Sequence, residues 1–441
     1  MEEIKTTAQE LNQLGLNLLK AGKVDDAYTY FCQAEKECPT EIASYINQAK
    51  ALLSHGDAKG AKQALDKALL LDSRNPDALF YLSSACFLSG LYEDGLLYAG
   101  QAADAGCNEP MLYLNMAMAS EELGQIDRAL RYHNKAVNLA PLDGVYYTAK
   151  AECQMRHGRD DDALQTLALL RQNCPDSFEV YHYSYLIYVH KLDYDKARQI
   201  LAEGIENFPG DVGLYIDMIH LMNLTRHPAE ALQLLDALDE VKDKVAMDAR
   251  ELKLERAKAY VVDGRVQDAR TLLQEVIQTE GAANFEAHYL LMNCALALQD
   301  YPEMERVARI MVDADDHTQY SRAARYYLPM SLMKQSRAEE AKPLYEEAIR
   351  YYRSETLKHP ELVDGYLFRA LCCKDLNRLD DALKVLDYLD KLLPQYKPTQ
   401  MIRASVYLEQ GDKARAAEAY QNAGSLKSAL DDVIGPLMKE E

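Results

Sequence analysis

Gly22, Gly56, Gly90, Gly124 and Gly158 follow one another at intervals of 34 residues. The same offset carries Ala27 to Ala61, Gly95, Ala129, Ala163, Ala197 and Ala231, and its multiples carry Pro39 to Pro141, Pro175 and Pro209. A fixed period of this size means that one small supersecondary unit is being reused. Such a unit cannot bury its apolar face alone, so the fold must be a stack in which each unit is stabilised by its neighbours. A single globule built round one shared core is excluded.

Inside a unit the apolar residues recur at helical spacing. Leu11, Leu14 and Leu18 precede Gly22, and Ala27, Phe31 and Ala34 precede Pro39, which reads as two short amphipathic helices. Gly22 permits the positive φ that ends the first helix. Pro39 cannot continue the second. Asp25 and Asp26, like Asp161 and Asp162, fall in the first turn of a second helix, where carboxylates complement the helix dipole. Small residues at 15, 49, 83, 117 and 151 let the first helix approach its partner closely.

The order small residue, turn glycine, Ala, aromatic, Ala and Pro, here Gly15, Gly22, Ala27, Phe31, Ala34 and Pro39, resembles the tetratricopeptide repeat family. The resemblance covers nearly the whole chain. It implies an all-α, right-handed superhelix of about twelve helical hairpins. Past Lys244 the register loosens, and the turn position moves from Arg226 to Gly264, Gln299, Ser336, Asn377 and Gly411. The organisation expected is a regular array over residues 1–244 and a less regular one over 245–441, with a capping helix at about Ser425 to Ile434. The polar stretch Asp239 to Asp248 is the expected flex point. Pro329 falls inside the first helix of the tenth unit, where it is expected to kink or break that helix.

Lys and Arg number 49 against 70 Asp and Glu, a formal charge of −21, and a field of that sign repels nucleic-acid phosphates. Apolar runs such as Ala78–Leu82 are far shorter than the ~18 residues of a membrane span. The acidic start, Met1-Glu2-Glu3, carries no secretory pattern, and nine scattered cysteines show no paired spacing. A cytoplasmic protein with reduced thiols is expected. Phosphate-binding loops, His-Glu-x-x-His and Cys-x-x-Cys do not occur. No enzyme activity, cofactor or metal is therefore expected.

In the family that the chain resembles, first helices line the concave face. The resemblance then turns positions two, five, nine and twelve of each unit inward, giving a largely apolar wall that includes Ile46, Leu53, Phe80, Phe87, Met111, Leu114 and Met118. Asn47 and Asn115 stand at position six, where some family members bond a peptide backbone. Lys50 is the isolated inward cation; with Asn12 and Leu16 in place of the residues required, no carboxylate clamp is expected. Tyr181, Tyr183, Tyr185 and Tyr188, with His182, mark the most aromatic spot. The partner expected is a peptide or helical segment with apolar anchors and neutral or basic charge, held by a scaffold. The alternative is a sensor whose superhelix changes pitch when a peptide binds.

Overall fold

The computed structural model describes residues 2–241, 249–280, 284–314, 318–394 and 396–423, and their side chains except at residues 2–6, 241, 249 and 280. Among the described residues every regular element is a helix. Two compact units divide the chain, Met1–Asp217 and Met218–Glu441. The first holds α1 (Glu2–Lys20), α2 (Val24–Glu37), α3 (Ile42–Ser54), α4 (Ala58–Leu71), α5 (Pro76–Leu88), α6 (Tyr92–Asp104), α7 (Pro110–Glu122), α8 (Ile126–Leu139), α9 (Gly144–Arg156), α10 (Asp160–Asn173), α11 (Glu179–His190) and α12 (Tyr194–Asn207). Helix α13 (Val212–Leu224) carries the chain into the second unit. There follow α14 (Pro228–Val241), α15 (Ala249–Val262), α16 (Val266–Glu280), α17 (Phe285–Ala297), α18 (Tyr301–Asp313), α19 (Gln319–Lys334), α20 (Ala338–Lys358), α21 (Val363–Asp375), α22 (Leu379–Leu392), α23 (Lys397–Glu409) and α24 (Lys413–Asn422). The helices pair as consecutive hairpins, as the repeat predicts. The expected boundary at 244, most of Asp239–Asp248 and the capping helix at 425–434 lie outside the described residues.

One backbone device closes all twelve hairpins. The second residue after each first helix takes a left-handed conformation: Gly22, Gly56, Gly90, Gly124, Gly158, Gly264 and Gly411, and also Leu192 (φ 57°), Arg226 (62°), Gln299 (58°), Ser336 (62°) and Asn377 (57°). The next amide then reaches back five residues to a helix carbonyl, from Lys23 N to Leu18 O (2.9 Å), from Asp193 N to Tyr188 O (2.8 Å) and from Arg378 N to Cys373 O (2.8 Å). This bond satisfies a carbonyl that the helix end leaves open. It fixes the chain reversal even where the turn residue has a side chain.

Second helices dock through alanine. Ala27, Ala61, Ala129, Ala163, Ala197, Ala231, Ala269, Ala341, Ala382 and Ala416 are fully buried, as is Met304 at the same register. On the facing helix, a Cβ added at Gly15 would lie 2.4 Å from the Phe31 ring. This approach needs glycine. Within each unit first helices also pack on the next first helix, α3 on α5 and α5 on α7 in one unit, α17 on α19 and α19 on α21 in the other. First helices therefore form the inner side of each stack.

Helix α19 runs unbroken from Gln319 to Lys334 with Pro329 inside it and buried, so of the expected kink or break the break does not occur. Proline removes one amide donor, but the stretch of helix before it is held by its neighbours. Tyr352 Oη donates to Arg322 O (2.6 Å). The Tyr326 and Tyr352 rings stack on Phe368 at 5.7 and 5.9 Å. Tyr326 and Tyr345 both donate to the Asp375 carboxylate, at 3.1 and 2.8 Å.

Candidate functional site

The inner side of the first unit is sorted by packing. Ile46, Phe80 and Leu114, at position five of successive units, are buried (6, 8 and 8 % exposed). A residue at that position is covered by the first helix of the neighbouring hairpin. Positions nine and twelve lie further from that seam. Leu53 and Phe87 are partly exposed, and Met118 is 55 % exposed. Met111, at position two, is 42 % exposed at the start of α7.

Leu53, Phe87, Asn115 and Met118 come together in one cleft of about 410 Å³, where Ser84, Leu88, Tyr92, Ala119 and Glu122 complete the lining. Its walls belong to α3, α5 and α7, with Tyr92 contributed by the start of α6. Phe87 is held against the backbone of Gly95, where a Cβ would lie 2.3 Å from the ring. Asn115 Nδ2 donates to Ser84 Oγ at 3.3 Å, a bond that fixes the polar edge. Glu122 is exposed and is the one charged residue in the lining. The cleft can thus take an apolar anchor and favours a positive charge beside it. Ser84, Leu88, Tyr92 and Glu122 escape a search for apolar inward positions. Ser84 occupies inward position nine but is polar, and Leu88 and Glu122 are one residue past position twelve.

Most other polar groups of this face are spent on neighbouring repeats. Asn47 Nδ2 donates to Asn12 Oδ1 (3.3 Å), and Asn12 Nδ2 donates to Ser44 Oγ (2.9 Å). Both asparagines are buried. The Lys50 ammonium lies 5.0 Å over the Tyr81 ring, and burial pushes its pKa down against the pull of Asp77. Tyr183 donates to Glu152. His182 Nδ1 is 2.6 Å from Asp217 Oδ2, and that hydrogen bond raises the histidine pKa. The aromatic spot divides. Tyr185 is fully buried, and Tyr181 (4 % exposed) packs edge-on against Phe208 at 5.9 Å while Asn207 donates to its hydroxyl at 2.8 Å. These two rings belong to the core, and only His182, Tyr183 and Tyr188 keep partly open faces.

Glu121, Cys153 and His157 bring three possible metal-ligand atoms within 4.8 Å of one another. The i, i+4 spacing of Cys153 on α9 and His157, the residue that caps its end, is the sequence signal for this group. Arg156 occupies both Glu121 oxygens through a fork of two 2.8 Å bonds, and His157 Nε2 is 3.0 Å from Oε1. Burial raises the Glu121 pKa, but these partners outweigh it and the net shift is downward. The Cys153 thiol is pushed up to about 11 by burial, so it is not a ready thiolate ligand. The arrangement is that of an ion-pair bridge between α7 and α9.

A family model described as tetratricopeptide repeat matches residues 46–109, 114–178, 254–317 and 330–397, more than half of the chain. Among solved structures, Pseudomonas aeruginosa PilF is similar at 19% identity over 48% of this chain and 96% of that one, with a TM-score of 0.40. A repeat protein of Parabacteroides merdae matches at 17% identity over 57% and 97%, with a TM-score of 0.43. YrrB, described as a repeat protein with an unusual peptide-binding site, matches at 25% over 42% and 95%, with a TM-score of 0.34. No curated protein matches the chain.

Proposed function

The chain belongs to the tetratricopeptide repeat family, whose members generally mediate contacts between proteins and are typically non-catalytic, and from that premise we propose that it is a non-catalytic adaptor. Its guest is a neutral or basic segment of a partner protein, with an apolar anchor in the cleft between α3, α5 and α7. The observation that supports this reading is the convergence of Leu53, Phe87 and Met118 on one opening beside Glu122, whose carboxylate has no ion-pair partner among the described residues. Methionine adapts to irregular partners, and an apolar pocket with few polar groups suits an anchoring side chain. The nine free thiols fit a reducing compartment such as the cytoplasm. No described helix is long and apolar enough to cross a membrane.

The test uses peptides selected on the full-length chain from a random display library and measured by fluorescence anisotropy. Met118→Asp places a charge at an exposed lining position and should weaken the selected peptides by about tenfold or more, as loss of a central anchor does, with helicity unchanged. Glu122→Lys should weaken the basic peptides among them. Unchanged affinity in both variants rejects the cleft as the binding site.

A further inference from the structure

The second unit carries a cleft of opposite character on the other set of helices. It has a volume of about 540 Å³ and lies between the successive second helices α20 and α22, floored by α21. Four cations line it, Arg353, Arg369, Arg378 and Lys384, against the single carboxylate of Asp381, in a chain whose net charge is −21. Asp381 is already shared. It accepts from Arg378 (2.9 Å) and Lys384 (3.3 Å), and Arg378 is held further by Glu346 (3.1 Å).

Arg353 and Arg369 are different. Neither guanidinium has an ion-pair or hydrogen-bond partner among the described residues. Arg369 is half-buried, and its Nε is enclosed without an acceptor. Burial, reinforced by the nearby Arg353 charge, holds its guanidinium below the usual arginine value. A desolvated donor without an acceptor is costly; Arg369 carries one, and with the exposed Arg353 beside it in the same opening an incoming anion relieves both that cost and the repulsion between the two charges. Guanidinium forks match phosphate and carboxylate oxygens bidentately. The charge count favours a dianion, because Arg353 and Arg369 are both uncompensated whereas Arg378 and Lys384 are met by Asp381 and Glu346. The cleft is also larger than a bare phosphate requires. Beside the arginines are Leu357 (75 % exposed) and Tyr388 (50 % exposed), with Ile349 and Val385 beneath. That platform suits an apolar side chain next to the anion, and a groove between two helices is open to a chain.

We propose that this cleft binds a phosphorylated segment of a protein, its phosphate on Arg353 and Arg369 and an adjacent apolar side chain on Leu357 and Tyr388. The site lies in the other unit and on the other helix set from the α3–α5–α7 cleft, so it stands or falls separately from the adaptor reading.

The probes are oriented peptide libraries centred on phosphoserine, phosphothreonine or phosphotyrosine with apolar neighbours, together with their unphosphorylated and glutamate-centred counterparts. Each is measured against the full-length chain, with inorganic phosphate as a further arm. One phosphorylated library should bind about tenfold or more tighter than its unphosphorylated counterpart, in keeping with charge-assisted bidentate contacts. Combining Arg353→Gln with Arg369→Gln should abolish that preference. Arg369→Lys, which keeps the charge and loses the fork, should reduce it while circular dichroism and thermal melting confirm the fold. Equal binding of phosphorylated and unphosphorylated or glutamate-centred libraries overturns the proposal. So does inorganic phosphate binding as tightly as any peptide, a preference that survives in the folded double variant, or binding by none of the probes.

Discussion

Replacing Leu192 by glycine should strengthen the sixth hairpin. Leu192 holds φ at 57° in the turn that lets Asp193 N reach Tyr188 O at 2.8 Å, and its side chain is 72 % exposed. A residue with a side chain in this left-handed region carries roughly 1–2 kcal/mol of backbone cost. Glycine removes that cost but loses more chain entropy on folding, roughly 0.5–1 kcal/mol. Little apolar burial is given up, so the net gain is about 0.5–1 kcal/mol. Repeat arrays open locally, which makes amide hydrogen exchange over α11 and α12 the suitable assay. Exchange there should slow by roughly two- to fivefold, the factor equivalent to that free energy. Asn377→Gly in the eleventh hairpin is the internal control, because asparagine tolerates the left-handed region, and it should gain much less. Equal gains at the two sites, or faster exchange in Leu192→Gly, would show that turn strain is not what distinguishes these hairpins.

Gly15→Ala should cost about 1–3 kcal/mol by forcing the Phe31 ring out of place, whereas Gly100→Ala, where a Cβ meets nothing within 4 Å, should add about 0.5–1 kcal/mol; thermal melts of the two variants compare them. His133 is buried with neither ring nitrogen bonded, and burial pushes its pKa down to about 4 from the usual 6.5. The unfolded chain takes up that proton first. Stability should therefore be whole above about pH 6.5 and decline as pH falls towards 4, by roughly 3 kcal/mol in total; urea melts of His133→Leu should lack this component. His182 runs the other way, since its bond to Asp217 raises its pKa. What the pair contributes is present below about pH 6.5 and lost as pH rises through the raised value, and an NMR titration should show the His182 pKa falling in Asp217→Asn.

The hairpins were legible because the period is set by stacking geometry, which every unit must obey. The loosened register beyond Arg226 could still be followed because the turn is defined by its five-residue reach-back bond, and Arg226, Gln299, Ser336 and Asn377 make that turn without being glycine. The inward face was legible only as a set of positions. Whether Ile46 or Leu53 is open depends on the first helix of the next repeat, more than thirty residues along the chain. Tyr181 is hidden by its own hairpin, since Gly204 and Asn207 of α12 and Phe208 at the end of that helix close over it. The asparagines at position six looked available to a guest, but Asn47 turns sideways to Asn12. Pro329 does not break α19, because local helix rules do not include the Tyr326, Tyr352 and Phe368 stack that holds the helix in place. Arg353 and Arg369 carry no motif. They come together only when α20 and α21 pack.

The polar bonds along the inner side of the first unit tie one first helix to the next, Asn115 to Ser84, Tyr183 to Glu152, His182 to Asp217, and among the described residues these bonds skip no neighbour. Such a row behaves like a chain of separately latched joints. A guest or a pH change that releases one latch loosens the bend at that joint and leaves the others shut, so stiffness can be set link by link along the array.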